Sequence, residues 1–223
     1  MAGDNASTHA AAAARAVRRE WEWDNPRCPR CEEHHPPDQC APVDLRAASL
    51  WQPYASLIAL GLKRIETRGW ATSYRGPLLI HAAKRLVGRR GDRWTLGDVE
   101  IERDAAGYLL RGPALSWPYR LPLGAAVARA NLVDCVPTED IVFYGNTIDL
   151  LGAPWVQVPA DGPDEPAYVE VDASERPYGD FGPGRFAWLL ADVEPIRNPI
   201  PMTGRQGLWK PDPALLDDRT ETT

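Results

Sequence analysis

The sequence lacks any apolar run long enough to cross a lipid bilayer, and it lacks internal repeats. The alanine run at residues 10–14 has no basic segment before it and no apolar core behind it, which argues against a secretory signal. These absences exclude a helical membrane protein and a repeat protein. They predict a soluble, cytoplasmic chain with no membrane partner.

Cysteine is scarce, with four residues in a chain of 223. In a cytoplasmic protein such cysteines are more often thiols or metal ligands than disulfides. Three of them lie in the proline-rich segment 26–42, PRCPRCEEHHPPDQCAP, in the pattern Cys28-x2-Cys31-x3-His35-x4-Cys40. Three thiolates and one imidazole suit tetrahedral zinc, and zinc knuckles bind single-stranded RNA.

The zinc hypothesis for Cys28, Cys31, His35 and Cys40 has alternatives. The spacing is one residue short of a zinc knuckle, and His34 competes as the fourth ligand. A proline-bearing tail with reduced thiols explains the same residues. Both interpretations stay open.

Proline and glycine are abundant, with 22 and 18 residues, and they indicate many turns and short elements. The fold class expected is α+β and β-rich, a small barrel with short flanking helices. The length allows one buried domain plus an extension. We predict a disordered or loosely docked tail at residues 1–25, the main domain at 43–211 and a C-terminal tail at 212–223.

The main domain opens with a helix and a strand. LWQPYASLIALGLK predicts a short helix, with Pro53 in its first turn and Gly61 at its left-handed end. RIETR predicts a strand with Glu66 and Arg68 on one face. Further strands are predicted at YRGPLLIHAAK, 125–133 and 186–193. Segments 87–121 and 144–184 are expected to be insertions or long loops, with a minor strand at GYLLRG.

Positive charge is concentrated in one part of an acidic chain. The formal net charge is -6, yet residues 61–93 contain nine Lys and Arg residues against Glu66 and Asp92. Such an island favours an anionic ligand at one place. A solvated charged face is the alternative.

Glu66, Arg68 and Lys63 form the most suggestive group within that island. A carboxylate between two cations can accept hydrogen bonds from the amine or ring N–H of a base, while Arg and Lys bind phosphate or a carbonyl. A structural ion pair between Glu66 and Arg68 or Arg64 is the alternative.

Other candidate ligand contacts flank this group. Of nine tryptophans, Trp51 and Trp70 bracket the charged residues, and each would contribute ~1–3 kcal/mol if it stacked on a base. Lys84 ends a strand and Arg205 lies in GRQGLW, so both could contact phosphate. His81 shares a strand face with apolar residues, which predicts a hydrogen-bonded core histidine.

The stretch LWQPYASLIALGLKRIETRGWATSYRGPLLIHAAK resembles the opening of an ASCH domain, of the PUA-like superfamily. The family hallmark G-x-K-x-x-E-x-R is matched by Gly61, Lys63, Glu66 and Arg68. The later segments FGPGRFAWLL and GRQGLW are also similar to bacterial members. The resemblance implies a small, partly open PUA-like β-barrel, and a cleft at the helix–strand junction that binds RNA or a nucleotide.

Some ASCH relatives are enzymes, so the resemblance also implies an alternative. A ribonuclease could use Glu66 as base and Lys63 as cation, which makes these two the catalytic candidates. Amidohydrolases acting on a modified nucleoside have a threonine where this chain has Glu66, and Thr67 is expected to face the other way. A module with a vestigial cleft is a third interpretation.

Overall fold

The computed structural model describes residues 44–86, 93–105, 107–144, 155–158 and 167–212. The zinc segment 26–42, with Cys28, Cys31, His35 and Cys40, lies outside these ranges, as do the N-terminal tail and residues 213–223. The zinc hypothesis therefore stays a prediction. Within the described ranges, no helix has the length and apolar character needed to span a membrane.

The described residues contain thirteen strands and one α-helix. In chain order they are β1 (Arg46–Gln52), α1 (Tyr54–Ala59), β2 (Ile65–Arg68), β3 (Gly76–Leu86), β4 (Arg93–Leu96), β5 (Val99–Asp104), β6 (Gly107–Arg111), β7 (Tyr119–Arg120), β8 (Ala125–Pro137), β9 (Ile141–Tyr144), β10 (Trp155–Val158), β11 (Tyr168–Asp172), β12 (Phe186–Pro201) and β13 (Leu208–Trp209). Two 3₁₀ segments, Thr138–Asp140 and Ala173–Tyr178, flank β9 and β11.

The strands form three sheets. The largest has six strands in the order β13-β1-β3-β8-β12-β2 and curls into a half-barrel. Its β1–β3 pair is parallel and its other pairs are antiparallel. A four-stranded sheet follows the order β4-β5-β6-β7, and a three-stranded sheet the order β10-β11-β9. The prediction of an α+β, β-rich fold is confirmed, and the barrel takes this half-closed form.

Helix α1 is buried on two sides, which explains why so few residues suffice to hold it. Ile58 belongs to the core of the six-stranded sheet together with Ile80 and Trp188. Leu57 belongs to a second core formed with Val99 and other residues of the four-stranded sheet. The helix therefore lies between two sheets, and the chain leaving it enters β2 at a fixed place.

The helix is shorter than predicted. Its predicted N-terminal part, residues 50–52, belongs to β1, because the residue before a proline is disfavoured in helical conformation and Pro53 follows directly. The end was placed correctly: Gly61 has φ 73°, the left-handed conformation that glycine adopts without steric cost.

The two segments expected to be insertions or long loops contain sheets, and the minor strand predicted at GYLLRG is β6. Strands β4 to β7 lie within residues 87–121, and Val99 and Ile101 alternate there with exposed-face charges. Strands β10 and β11 lie within 144–184, where Val169 and Val171 pack against Ile65. The high charge of these segments suggested loops. Their charged residues in fact alternate with apolar ones, a pattern typical of a sheet with one solvated face.

Candidate ligand-binding groove

Strand β2 lies at one edge of the six-stranded sheet and sets the orientation of the charged residues. Ile65 and Thr67 are buried, at 0% and 8% exposure, while Glu66 and Arg68 are half-buried on the opposite face. This is the alternation expected of a strand, and it directs the carboxylate and the guanidinium to the same side.

Lys63 is buried at 1% exposure, directly beneath Glu66. Its Nζ donates to the carbonyl of Ile65, donates to the carbonyl of Tyr178 at 2.8 Å, and lies 3.3 Å from Oε2 of Glu66. An ammonium group has three N–H donors, so all three have an oxygen partner inside the protein. Lys63 supports the site from below and does not line it.

Glu66 joins Lys63 to Arg68. Its Oε1 lies 3.0 Å from Nε of Arg68, an ion pair whose alignment does not make a hydrogen bond. Arg68 is held by two further contacts: Nη2 donates to the carbonyl of Ser49 at 3.1 Å, and the guanidinium lies 5.6 Å from the ring centre of Trp188. The structure thus brings the predicted trio together as a carboxylate between a buried cation and a half-exposed one.

Glu66 and Arg68 face a cavity of about 380 Å³, which we call the Glu66 cavity. This volume is within the range of small-molecule sites. It contains charges of both signs, because Asp180 and Arg185 form an ion pair of 3.4 Å on its wall. The lining residues are Ser49, Leu50, Trp51, Tyr54, Glu66, Thr67, Arg68, Gly69, Trp70, Tyr178, Gly179, Asp180 and Arg185.

A second cavity, of about 760 Å³, adjoins the first, and we call it the basic cavity. The two share four lining residues, so they form one continuous groove. Among the described residues that line the basic cavity there is no carboxylate. They are Ser49, Trp51, Arg68, Trp70, His81, Ala83, Lys84, Thr203, Gly204, Arg205, Gln206 and Gly207.

Trp51 and Trp70 are two of the shared residues, and both are exposed, at 52% and 39%. Each ring is supported from one side. Trp70 makes an edge-to-face contact with Trp188, with ring centres 4.8 Å apart, and the guanidinium of Arg85 lies 5.8 Å from the ring of Trp51. The groove therefore has two indole rings available to a ligand.

His81 forms part of the basic cavity's floor. It is 2% exposed, with Nδ1 3.1 Å from Oγ of Ser49 and Nε2 3.3 Å from the carbonyl of Met202. Because a carbonyl can only accept, Nε2 is the protonated nitrogen and Nδ1 accepts from the serine hydroxyl. Burial lowers the pKa of His81, which keeps the ring neutral. This is the hydrogen-bonded core histidine predicted from the sequence.

A second buried carboxylate lies behind the groove. Glu175, in the 3₁₀ segment Ala173–Tyr178, is 2% exposed and accepts from the backbone N–H of Arg64 at 2.5 Å. Its Oε2 has no hydrogen-bond partner among the described residues. Burial raises the pKa of Glu175 to about 7, against the opposing effect of the Lys63 charge.

Sequence reasoning missed four contributors to the groove: Ser49, Tyr54, Asp180 and Arg185. Asp180 belongs to segment 144–184, expected to be an insertion or a long loop, and Arg185 lies just after it, within the FGPGRFAWLL motif. The backbone N–H of Asp180 donates to Oγ1 of Thr67 at 2.9 Å, which fixes this segment against β2. Only the tertiary structure reveals that contact.

Part of the chain is similar to a known family and to known proteins. Residues 49–151 match the model of the ASCH domain family. Activating signal cointegrator 1 from mouse and from human are each 35% identical, over 88 and 89 residues, which is 40% of this chain. The chain spans only 14% of the length of either relative.

Among solved structures, the crystal structure of a mutant ZmASCH protein from Zymomonas mobilis is similar, with 16% identity and a TM-score of 0.36. The alignment covers 78% of this chain and 94% of that one. The matched region 49–151 includes the end of β1, all of α1 and β2, and the residues Gly61, Lys63, Glu66 and Arg68 of the sequence hallmark. Residues 49–151 of the chain are therefore similar to the ASCH domain family.

Proposed function

We propose that this protein binds RNA or a nucleotide-like ligand in the groove formed by the Glu66 cavity and the basic cavity. One observation supports the proposal above others. A carboxylate fixed between two cations faces a cavity whose rim has two exposed indole rings. ASCH domains are generally associated with RNA binding, which agrees with this chemistry.

Glu66 is the group that recognises the base in this proposal. An ionised carboxylate only accepts hydrogen bonds, so it selects a ligand that presents an amine or ring N–H. Its partners Lys63 and Arg68 hold the charge and fix the rotamer before the ligand arrives. Lys63 therefore contributes through Glu66, without touching the ligand.

Arg68 and the tryptophans supply the remaining affinity. The guanidinium faces both cavities, so it can donate to a phosphate or carbonyl of a ligand that spans them. Trp51 and Trp70 offer flat surfaces for bases, and such stacking contributes about 1–3 kcal/mol per base whatever the sequence.

The test measures the binding of a short, fluorescently labelled single-stranded RNA of mixed sequence. Binding is detected by fluorescence anisotropy at several salt concentrations. Glu66→Gln should weaken binding about tenfold or more, because it removes a charge-assisted hydrogen bond of about 1.5–3 kcal/mol. Arg68→Ala should also reduce the salt slope by about 0.7, the value for one phosphate contact on a single strand.

Glu194→Gln is the matched control, since Glu194 is exposed and lines neither cavity. It should bind like the unmodified protein. A Glu66→Gln variant that binds as tightly as this control would contradict the proposal. The same samples, run on a denaturing gel, show whether the RNA stays intact. If the unmodified protein cleaves the RNA and Glu66→Gln does not, the function of the groove is ribonuclease activity and not binding alone.

A further inference from the structure

The two cavities of the groove differ in charge although they share a wall. The Glu66 cavity contains Glu66 and Asp180 beside Arg68 and Arg185, so its formal charges balance. The basic cavity has cations from Lys84, Arg205 and the shared Arg68, and no carboxylate among its described lining residues. One half of the groove suits a neutral ring with hydrogen-bond donors, and the other suits an anion.

Two of the three cations of the basic cavity, Lys84 and Arg205, are free to bind a ligand. Within the described part of the chain, neither Lys84 nor Arg205 has a carboxylate within ion-pair distance, and both are exposed. On the four-stranded sheet, by contrast, Arg93 forms an ion pair with Glu100 at 2.7 Å. In a chain of net charge -6, two unpaired cations in one concavity concentrate positive potential there.

Lys84 is also held in place. Its aliphatic stem lies against Gly124, where an added Cβ would come within 2.9 Å of both Cγ and Cε. A side chain whose stem is packed loses less conformational entropy when its ammonium group binds. The close approach requires glycine at 124, which has φ 63°.

We propose that the ligand is a single-stranded oligonucleotide of at least two nucleotides. Its recognised base enters the Glu66 cavity, and the phosphate and sugar of the adjoining nucleotide occupy the basic cavity, against Lys84 and Arg205. This inference rests on the proposed function and adds the class of ligand: a polymer with an internal phosphodiester, in place of a free nucleoside.

The position of Glu66 inside a cavity favours a single strand. In a duplex the Watson–Crick edge of a base is paired within the helix, whereas an unpaired base can enter a cavity and present that edge to a side chain. The shared wall of the two cavities points the same way, because Arg68, Trp51 and Trp70 line both of them. If the sugar–phosphate backbone of the ligand contacts Arg68, bases on either side of that point can stack on the rings of Trp51 and Trp70.

The experiment compares four ligands as competitors of the labelled RNA: adenosine, adenosine 5′-monophosphate, the dinucleoside monophosphate ApA, and a short single-stranded oligoadenylate. The oligonucleotides should compete at least about tenfold better than adenosine, the effect of about 1.4 kcal/mol. In the double variant Lys84→Gln/Arg205→Gln that advantage should disappear, and the salt slope should fall by about 0.7, the value for one neutralised phosphate on a single strand.

The control is the double variant Arg129→Gln/Arg197→Gln. It removes the same charge from two exposed arginines that line neither cavity, so it separates a local site from general attraction to polyanions. It should keep the advantage of the oligonucleotides. Equal loss in both double variants would overturn the inference.

Failure of the inference and failure of the proposed function give different results. If adenosine binds in a manner that depends on Glu66, and oligonucleotides bind no better, the proposed function stands and the oligonucleotide inference is wrong. If none of the four ligands competes and the labelled RNA does not bind at low salt, both are wrong. A monophosphate that equals ApA would also overturn the requirement for a second nucleotide.

Discussion

Lys63 lies close to two carboxylates, those of Glu66 and Glu175, and its single positive charge acts on both. Glu66 lies 3.3 Å from its Nζ, and Glu175 is close enough for the Lys63 charge to lower its pKa. Removal of a buried charge from water is costly unless partners replace the solvent, and Lys63 finds a carboxylate and two carbonyls. Glu175, with one oxygen unpartnered, is the less satisfied of the two acids.

The variant Glu175→Gln tests whether the Glu175 carboxyl is protonated in the folded protein. Because burial raises the pKa of Glu175 from its ordinary 4.5 to about 7, the folded protein keeps a proton there that the unfolded chain releases. Stability from this group is therefore full below pH 4.5 and is lost as the pH rises through 7. The free energy of unfolding should fall between pH 5 and pH 8 in the unmodified protein, and less in Glu175→Gln.

Urea denaturation at both pH values measures the effect, with Glu194→Gln as the control for an exposed acid. The informative quantity is the difference between the variants, since other groups titrate in both. If Glu175→Gln and Glu194→Gln show the same pH dependence, Glu175 is ionised in the folded protein throughout this range.

Two elements position the groove. Helix α1 delivers the chain into β2, and the segment 203–207 between β12 and β13 closes the basic cavity over His81. Gly204 is the point of closest approach: an added Cβ would lie 2.3 Å from Cε1 of His81 and 2.6 Å from Oγ of Ser49. His81 cannot move away easily, because both its nitrogens have hydrogen-bond partners.

Gly204→Ala should therefore displace the segment that holds Arg205. We expect a loss of about 1–3 kcal/mol in the free energy of unfolding, as for other overpacked sites, together with weaker RNA binding. Urea denaturation and anisotropy measure the two effects. Gly69→Ala is the stability control, because its Cβ would meet no atom within 4 Å. An equal free energy of unfolding in the two variants would show that segment 203–207 accommodates the added methyl group without loss of stability.

Elements whose apolar and polar residues alternate regularly could be predicted from the sequence. Part of the site, the pair Glu66 and Arg68 on β2, could be predicted with them. The alternation in IETR correctly placed Glu66 and Arg68 on one face of β2. The depth of Lys63 could not be predicted, since lysine is almost never fully buried unless it is paired, and its carbonyl partner at Tyr178 lies far away in sequence. Contacts at that separation leave no local pattern.

At the scale of the whole molecule, residues of the matched region 49–151 supply most of the groove, and segments beside later strands supply the rest. The family match ends at residue 151, whereas Asp180, Arg185 and Arg205 lie beyond it, next to β12 or before β13. The six-stranded sheet unites these parts, because β12 pairs with both β8 and β2, and β13 pairs with β1. The proposed ligand site thus includes segments outside the matched region.

The most direct measurement of the central claim is a crystal structure of the protein bound to a short single-stranded RNA. We predict one base in the Glu66 cavity, within hydrogen-bond distance of the Glu66 carboxylate, and a phosphate beside Lys84 and Arg205. RNA bound on another surface, with the groove between Trp51 and Trp70 unoccupied, would contradict the account.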